Sequence, residues 1–296
     1  MKKKIFALIL AVFFTFSLAG CSSDFLTDAQ IERFIGNAEN PTVEIVFEYE
    51  NNNSEARRVT LEYELLYRQT PSTVANFVQL ATAGYYENKV FHRATASNDA
   101  ALVGSDVPYI AGGKYFIEED GSYKEDKKNY CIKGEFISNG WYEENEAGDK
   151  VPKNDPKCEL VKHQLGSLVM YRDSGVDKAF DTASTVFYIS LSDPIGSNSR
   201  QGNYAVFGQL IGFKAEAKDG GAWVAIGSTV LTPGLPKWFV SEMLNVEKTY
   251  QTTTEDRSIQ VPKNPLTIKS VTVDQKDKDY SKARVAKIYG AKVEED

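Results

Sequence analysis

The sequence has few of the residues on which two large functional classes depend. It contains only 2 histidines in 296 residues, which leaves little material for a histidine metal site. Lysine and arginine total 34 against 41 aspartates and glutamates, giving a formal charge of −7. Proteins that bind nucleic acid need a basic face, so this balance argues against them. We therefore expect neither a metal centre nor a nucleic-acid partner.

What the sequence does contain is typical of a globular, β-rich protein. Hydrophobic residues make up 42% and charged residues 25%, which is enough to bury a core and too apolar for a disordered chain. Aromatic residues reach 12%, with 16 tyrosines and 16 phenylalanines. Aromatic side chains are enriched in strands, so this composition favours a mainly β fold.

The first residues predict an export signal. Three lysines at positions 2–4 precede an apolar run, Ile5–Leu18, that is short for a membrane-spanning helix. The following Leu18-Ala19-Gly20-Cys21 resembles the bacterial lipobox, in which the signal is cut before a cysteine that is then lipidated. We expect a signal peptide over 1–20, lipidation at Cys21 and a tether over 21–41. The alternative is a plain secretory signal with an incidental cysteine.

Two further cysteines, Cys131 and Cys158, flank a polar segment rich in turn residues. Thiols outside the cytoplasm can oxidise, so a disulfide between them is permitted. Closing such a loop contributes about 3 kcal/mol in the chain-entropy model. Two separate thiols are the alternative, and the sequence does not decide between them.

The pattern along the chain predicts two strands, a helix, and then mostly strands. Thr42–Tyr49 and Val59–Tyr67 alternate apolar and polar residues, as a half-buried β-hairpin does. Pro71 lies in the first turn of an amphipathic helix that ends at Gly84. The later predicted elements are strands at Lys89–His92, Leu168–Tyr171, Thr185–Leu191 and Ala205–Ile211, a helix at Trp238–Val246, and a strand at Leu266–Val273.

No internal repeat or linker marks a second domain. We expect one barrel-like domain over 42–275, with insertions near 98–130, 141–161 and 214–235. The residues 276–296 are rich in lysine and aspartate and predict a charged C-terminal tail.

An ordered set of short segments resembles the cyclophilin family of peptidyl-prolyl cis-trans isomerases. The segments are Thr73-Val74-Ala75-Asn76-Phe77, Gly84-Tyr85-Tyr86, Phe91-His92-Arg93, Gly134-Glu135-Phe136, the run His163–Met170, Thr185-Val186-Phe187-Tyr188-Ile189 and Tyr204-Ala205-Val206-Phe207-Gly208. Each is weak alone, but the set spans most of the globular part in the family's order. The resemblance implies a closed eight-stranded antiparallel barrel capped by two helices, with Leu266–Val273 as the closing strand.

The resemblance also implies a chemistry. Rotation about an X-Pro amide faces a barrier of about 18 to 20 kcal/mol, although the isomers differ by only about 0.5 to 1 kcal/mol. Lowering that barrier requires an apolar pocket and a donor to the prolyl nitrogen, but no nucleophile, metal or cofactor. Arg93 takes the place of the family's catalytic arginine and carries a fixed positive charge with several N–H donors. The alternative for Arg93 is a surface salt bridge.

The expected substrate-binding residues depart from the family pattern. The family's Phe-Met-Ile-Gln-Gly-Gly-Asp stretch is aligned with residues 100–106, which puts Val103 at the glutamine. Val186 replaces a second glutamine and Tyr188 replaces the pocket phenylalanine. The other expected substrate-binding residues are Tyr171, Arg172, Phe187 and Tyr204.

The sequence thus predicts a peptidyl-prolyl isomerase of low activity that acts on exported or unfolded proteins. It would be lipid-anchored to the cell membrane on the outer side. The alternatives are a peptide-binding or chaperone lipoprotein with little turnover, and a structural surface lipoprotein or adhesin.

Overall fold

The structure is a computed structural model that describes residues 39–95, 107–128, 130–172, 180–193, 202–255, 258–276, 278 and 280, and the backbone of 289–290. The predicted signal peptide, Cys21, Val103 and most of the tether and tail lie outside the described residues. Among the described residues, no helix combines the length and the apolar character needed to cross a membrane.

The first hairpin forms where alternation predicts it. Residues at every second position of Thr42–Glu50 are buried, and Val43, Ile45 and Phe47 are at most 1% exposed. This strand pairs along its whole length with Ala56–Leu65. Asn51 closes the turn, because its Oδ1 accepts the backbone N–H groups of Asn53 and Glu55 at 3.0 Å each.

The described chain contains two α-helices, α1 (Pro71–Thr82) and α2 (Lys237–Leu244). In chain order the strands are β1 (Thr42–Glu50), β2 (Ala56–Leu65), β3 (Lys89–Ala94), β4 (Tyr109–Ile117), β5 (Tyr123–Glu125), β6 (Tyr130–Cys131), β7 (Tyr142–Glu144), β8 (Lys150–Pro152), β9 (Leu168–Met170), β10 (Phe187–Ser190), β11 (Val206–Asp219), β12 (Ala222–Ala225), β13 (Lys248–Thr252), β14 (Ser258–Pro262), β15 (Leu266–Asp274) and β16 (Tyr289–Gly290).

Eight of these strands close into an antiparallel barrel. Their order is β10-β9-β11-β2-β1-β15-β3-β4, and β4 pairs with β10 to complete the ring. The predicted closing strand is confirmed as β15, which pairs with both β1 and β3. The mainly β fold, the eight strands and the two helices are therefore as the sequence predicts.

The two helices each place a phenylalanine against the barrel interior. Phe77 of α1 lies 5.6 Å from the ring of Phe187 and 5.1 Å from that of Phe207. Phe239 of α2 lies 5.2 Å from Phe213. Edge-to-face and tilted pairs of this kind add to the stabilisation from apolar burial.

Two sequence predictions, the insertion near 98–130 and the C-terminal tail, change in detail. The predicted insertion near 98–130 contains a barrel strand, β4, which pairs with β10. Its residues Tyr109, Ile110 and Ala111 are at most 2% exposed. The tail is partly packed, since Tyr280 is fully buried with its ring 4.9 Å from that of Tyr67. Residues 289–290 also pair with β6.

The disulfide that the sequence permits is not formed. Cys131 and Cys158 are half-buried thiols rather than two halves of a bridge. Cys131 lies in β6, whose partner is β16, and Cys158 lies in a turn with a positive φ of 51°. The segment between them is instead held to the barrel by hydrogen bonds.

Candidate active site

The side chain of Arg93 points to the outside of the barrel because of a β-bulge in β3. Phe91 points into the barrel, and strict alternation would send Arg93 the same way. The pairing slips at His92, however, so that Phe91 lies opposite Gly112 while Arg93 lies opposite Ala111. A bulge of this kind re-aims the next side chain. Arg93 therefore shares a face with Ala111. Ala111 belongs to a buried apolar cluster that is separate from the barrel core.

Cross-strand pairing extends this face over neighbouring strands. Ala111 of β4 lies opposite Tyr188 of β10, and Tyr188 lies opposite Val169 of β9, which in turn pairs with Val206 of β11. Directly paired residues share a face of the sheet. We call this row, with the side chains packed on it, the outer wall.

Tyrosines of the outer wall hold the guanidinium of Arg93. Its Nη1 donates to the Tyr171 hydroxyl at 3.2 Å, and its Cζ lies 5.6 Å from the centre of the Tyr109 ring. Tyr109 in turn packs 5.0 Å from Tyr188 and 6.5 Å from Tyr171. A hydrogen bond and a cation–π contact therefore position the same charged group.

A buried polar pair lies behind the tyrosines. The Tyr188 hydroxyl and His163 Nε2 are 3.0 Å apart, and both residues are 0% exposed. Burying two polar groups is tolerated because they bond to one another. The pair fixes the ring of Tyr188 against the wall.

The second predicted arginine is held separately from Arg93. The guanidinium of Arg172 lies over the rings of Phe136, Phe180 and Tyr204, at 5.6, 5.2 and 4.6 Å. Its Nε also donates to the Asn203 carbonyl at 3.0 Å. These three rings adjoin the outer wall, because the ring of Tyr204 lies 6.0 Å from that of Tyr188.

The structure separates one predicted residue from the others. Tyr171, Val186, Tyr188 and Tyr204 all pack in or on the outer wall. Phe187 lies on the opposite face of the same strand, in the barrel core, with its ring 5.8 Å from Phe91. Since neighbours along a strand point to opposite faces, Phe187 cannot join Tyr188 at this surface.

Strand β4 contains two adjacent glycines, Gly112 and Gly113. A Cβ at Gly112 would lie 2.8 Å from the Val90 carbonyl oxygen, and Gly113 has φ +106°. Both positions therefore require glycine. Val103, which the sequence alignment puts at the family's glutamine, lies outside the described residues and stays a prediction.

His92 remains uncharged in the folded protein. Burial lowers its pKa from 6.5 to about 3, with a smaller contribution from Lys114. Among the described residues, no group of three histidine, cysteine, aspartate or glutamate side chains is arranged to hold a metal ion. On the outer wall, the guanidinium of Arg93 is the candidate hydrogen-bond donor to a substrate.

A closed eight-stranded antiparallel barrel with two helices and an arginine on its outer wall defines a protein of the cyclophilin class. The sequence matches the family described as cyclophilin type peptidyl-prolyl cis-trans isomerase/CLD over residues 50–217. The chain therefore belongs to the cyclophilin-type peptidyl-prolyl cis-trans isomerase family.

Solved structures of several cyclophilins are similar to the chain. A cyclophilin type peptidyl-prolyl cis-trans isomerase of Cryptosporidium parvum, crystallised with the dipeptide Ala-Pro, is 18% identical and has a TM-score of 0.38, covering 77% of this chain and 98% of that one. Cyclophilin AquaCyp293 of Hirschia baltica is 13% identical, with a TM-score of 0.37, and covers 77% and 73%. The Mimivirus cyclophilin is 16% identical, with a TM-score of 0.35, and covers 80% and 90%. Comparison with curated protein sequences finds no match.

Proposed function

We propose that the protein isomerises X-Pro bonds of extended polypeptides at the outer wall, with Arg93 as the catalytic donor. As the amide twists, conjugation is lost and the prolyl nitrogen regains a lone pair. A guanidinium aimed at that lone pair stabilises the twisted amide without any proton transfer. The chain needs no titrating base for this step, because the arginine keeps its charge.

The observation that carries this proposal is the double restraint on Arg93. The Tyr171 hydroxyl and the Tyr109 ring contact the guanidinium from two elements, β9's end and β4. A donor fixed before the substrate arrives does not have to be ordered during the reaction, which favours catalysis. A surface salt bridge, the alternative reading of Arg93, would need an acidic partner in place of these tyrosines.

The packing of the outer wall also supports the expectation of a low isomerisation rate. Tyr188 is 0% exposed and Tyr109 is 2% exposed, so the rings fill the wall beside Arg93. Val186, which packs on the outer wall, has an aliphatic side chain where the sequence alignment puts a glutamine of the family. Less apolar surface is left for the proline ring, and each Å² that is not buried forfeits about 25 cal/mol. We therefore expect weak substrate affinity.

The test is a protease-free isomerisation assay with a proline-containing peptide. We expect Arg93→Ala to lower kcat/KM by about 10² to 10³, the usual effect of removing a preorganised donor. Arg58→Ala is the matched control, because Arg58 lies on β2 and pairs with Glu48 at 2.7 Å. Equal, uncatalysed rates for the wild type and Arg93→Ala would exclude the enzymatic proposal.

A second candidate is a protein that binds proline-containing segments with little turnover, as a chaperone does. The filled wall favours it, because a shallow aromatic surface binds an extended chain without enclosing the amide. In that case peptide binding would persist while isomerisation stays at the uncatalysed rate. Measuring binding and rate on the same peptide separates the two candidates.

We further propose that the protein acts outside the cytoplasm, anchored to the cell membrane by a lipid such as palmitate on Cys21. The lipobox resemblance of Leu18-Ala19-Gly20-Cys21 supports this, and the substrates would then be exported or unfolded proteins. The test is fractionation of cells expressing the full chain or Cys21→Ala. We expect the first in the membrane fraction with a lipid mass on Cys21, and the variant released. Equal distribution would contradict the anchor.

A further inference from the structure

Arg172 directly follows Tyr171, the residue whose hydroxyl holds the guanidinium of Arg93. Strand β9 ends at Met170, so Tyr171 lies just beyond the end of the strand. The N–H of Tyr171 donates to the Val186 carbonyl at 2.9 Å, which ties its backbone on one side. On the other side, a planar peptide bond couples Tyr171 to Arg172. The contacts of Arg172 therefore bear on the position of Arg93.

The guanidinium of Arg172 packs among aromatic rings. Its Cζ lies 4.6 to 5.6 Å from three ring centres, those of Phe136, Phe180 and Tyr204, which we call the aromatic cage. Its Nε donates to the Asn203 carbonyl at 3.0 Å. A guanidinium is flat, so it can stack on rings while it donates within its own plane. These contacts together fix where the side chain lies.

Two rings of the aromatic cage are held against one another. Phe136 and Phe180 pack edge to face, with their ring centres 5.6 Å apart and their planes at 83°. Gly134 permits this approach, because a Cβ there would clash with the Phe136 ring and lie 2.5 Å from the Phe180 carbonyl oxygen. Close by, the side-chain amide of Asn139 donates to the Asp181 carboxylate at 2.7 Å. The cage thus joins two segments that are far apart in the sequence.

The loop that carries the third ring, Tyr204, is tied to the same segment. The Ser138 hydroxyl donates to the Asn203 side-chain oxygen at 2.6 Å, and the Ser138 N–H donates to the Gly202 carbonyl at 3.0 Å. The backbone carbonyl that accepts from Arg172 therefore belongs to a loop that is itself anchored. Arg172 bonds to a fixed support, which it needs in order to hold its neighbour.

We propose that Arg172 is a positioning residue, which fixes Tyr171 and through its hydroxyl the guanidinium of Arg93. The sequence predicts a direct substrate contact for Arg172 instead, and the two roles have different consequences. Loss of a positioning residue lowers kcat, whereas loss of a uniform substrate contact raises KM. The expected change in kcat rests on the proposed function. The expected change in the orientation of Arg93 does not.

The first experiment follows the side-chain N–H signals of Arg93 by NMR, assigned from their loss in Arg93→Ala. A hydrogen-bonded N–H is protected from exchange with water. Arg172→Lys keeps the charge but loses the flat stacking group and the Nε donor. We expect it to speed exchange at Arg93 about fivefold, as weakening of one hydrogen bond does. Unchanged exchange at Arg93 would overturn the proposal.

Arg58→Lys is the matched control for this experiment. Arg58 is also an arginine stacked on an aromatic ring, with its Cζ 4.2 Å from the centre of the Trp223 ring, but it lies on β2. The same loss of a flat cation there should leave exchange at Arg93 as in the wild type. If Arg58→Lys speeds this exchange as much as Arg172→Lys does, the effect is not specific to Arg172 and the proposal fails.

Kinetics distinguish positioning from substrate contact. In the proline-peptide assay we expect Arg172→Lys to lower kcat about three- to fivefold, with KM within about twofold of the wild type. Arg58→Lys should leave both constants unchanged. A rise in KM with kcat unchanged would mean that Arg172 contacts the substrate, and would overturn the proposal.

A double-mutant cycle tests whether Arg172 acts through Tyr171. Once the hydroxyl is gone, the change at Arg172 should cost little, so Tyr171→Phe with Arg172→Lys should keep the kcat of Tyr171→Phe within about twofold. Full additivity of the two losses would contradict the route through Tyr171.

Phe180→Leu keeps the test open if Arg172→Lys does not fold. It removes one ring of the aromatic cage and leaves Arg172 in place. We expect smaller changes in the same direction, both in exchange at Arg93 and in kcat. Values equal to those of the wild type in both measurements would overturn the proposal.

The two readouts separate this inference from the proposed function. Faster exchange at Arg93 in Arg172→Lys, without any isomerisation by the wild type, would exclude the isomerase and leave the positioning role standing. Isomerisation by the wild type, with exchange at Arg93 and kcat both unchanged in Arg172→Lys, would do the reverse.

Discussion

The two faces of β10 carry similar rings with opposite tasks. Phe187 points into the barrel and packs against the rings of Phe77, Phe91 and Tyr86. Tyr188, the next residue, packs on the outer wall, and its hydroxyl bonds His163. The inner face thus stabilises the barrel by apolar burial, whereas the outer face uses tyrosine hydroxyls to fix polar groups. On β10 the two faces thus differ by one ring hydroxyl, that of Tyr188, which makes a polar contact that Phe187 cannot make.

Substitution of Phe187 on the inner face should change stability the most. Phe187→Ala should lower the free energy of unfolding by about 3 to 5 kcal/mol, because it leaves a cavity among fully buried rings. Denaturant unfolding followed by tryptophan fluorescence measures it. Val230→Ala is the control, since Val230 is 66% exposed and should change stability little. A loss below about 1 kcal/mol for Phe187→Ala would mean that the interior is not packed as described.

Glu135 is an ionisable side chain that is about as buried as the rings of the inner face, at 2% exposed. Burial raises its pKa from 4.5 to about 7, although the N–H groups of Ser72 and Thr73 oppose the shift. The folded chain then holds the proton more tightly than the unfolded chain. This contribution to stability is complete below pH 4.5 and is lost as the pH rises through about 7. It amounts to about 3 kcal/mol.

Glu135→Gln should remove that dependence. Comparing the unfolding free energies of the two proteins across this pH range isolates Glu135, because His92 titrates identically in both. Its effect runs the other way, since its lowered pKa costs stability as the pH falls below 6.5 toward 3. Parallel profiles for the wild type and Glu135→Gln would show that Glu135 is not desolvated.

Removal of one hydroxyl from the outer face should have the smallest effect, and it should act on kcat. Tyr171→Phe keeps the ring but removes the hydroxyl that accepts from Arg93. We expect kcat to fall about fivefold with little change in stability, the effect of losing about 1 kcal/mol from one hydrogen bond. Tyr250→Phe is the matched control, because Tyr250 lies in β13, away from the outer wall, and is 71% exposed. If both variants lose kcat equally, Tyr171 does not position the arginine.

The barrel was largely predictable from the sequence, but the candidate site was less so. Alternation in β1 and β2 reports one buried face, and Pro71 marks the start of α1, so local patterns sufficed there. Strand β4 was missed because Gly112 and Gly113 interrupt its pattern, and only the approach of Val90 explains them. Strand pairing alone reveals the bulge at His92 that turns Arg93 outward.

The tyrosine contacts of Arg93 were beyond sequence reasoning for a similar reason. Tyr109 and Tyr171 are 62 positions apart and meet only because β4, β10 and β9 are neighbours. His163 belongs to a segment that carries the family resemblance, but the sequence does not reveal its partner, because Tyr188 lies 25 positions further on. Tertiary pairing, and not local propensity, assembles this wall.

Two-dimensional exchange NMR on one proline-containing peptide, with the wild type and with Arg93→Ala, tests the role of Arg93. The method measures peptide binding and cis–trans exchange in the same sample. We expect that both proteins bind the peptide and that only the wild type accelerates its exchange. Exchange that is equally fast with both proteins would contradict the assignment of Arg93 as the donor.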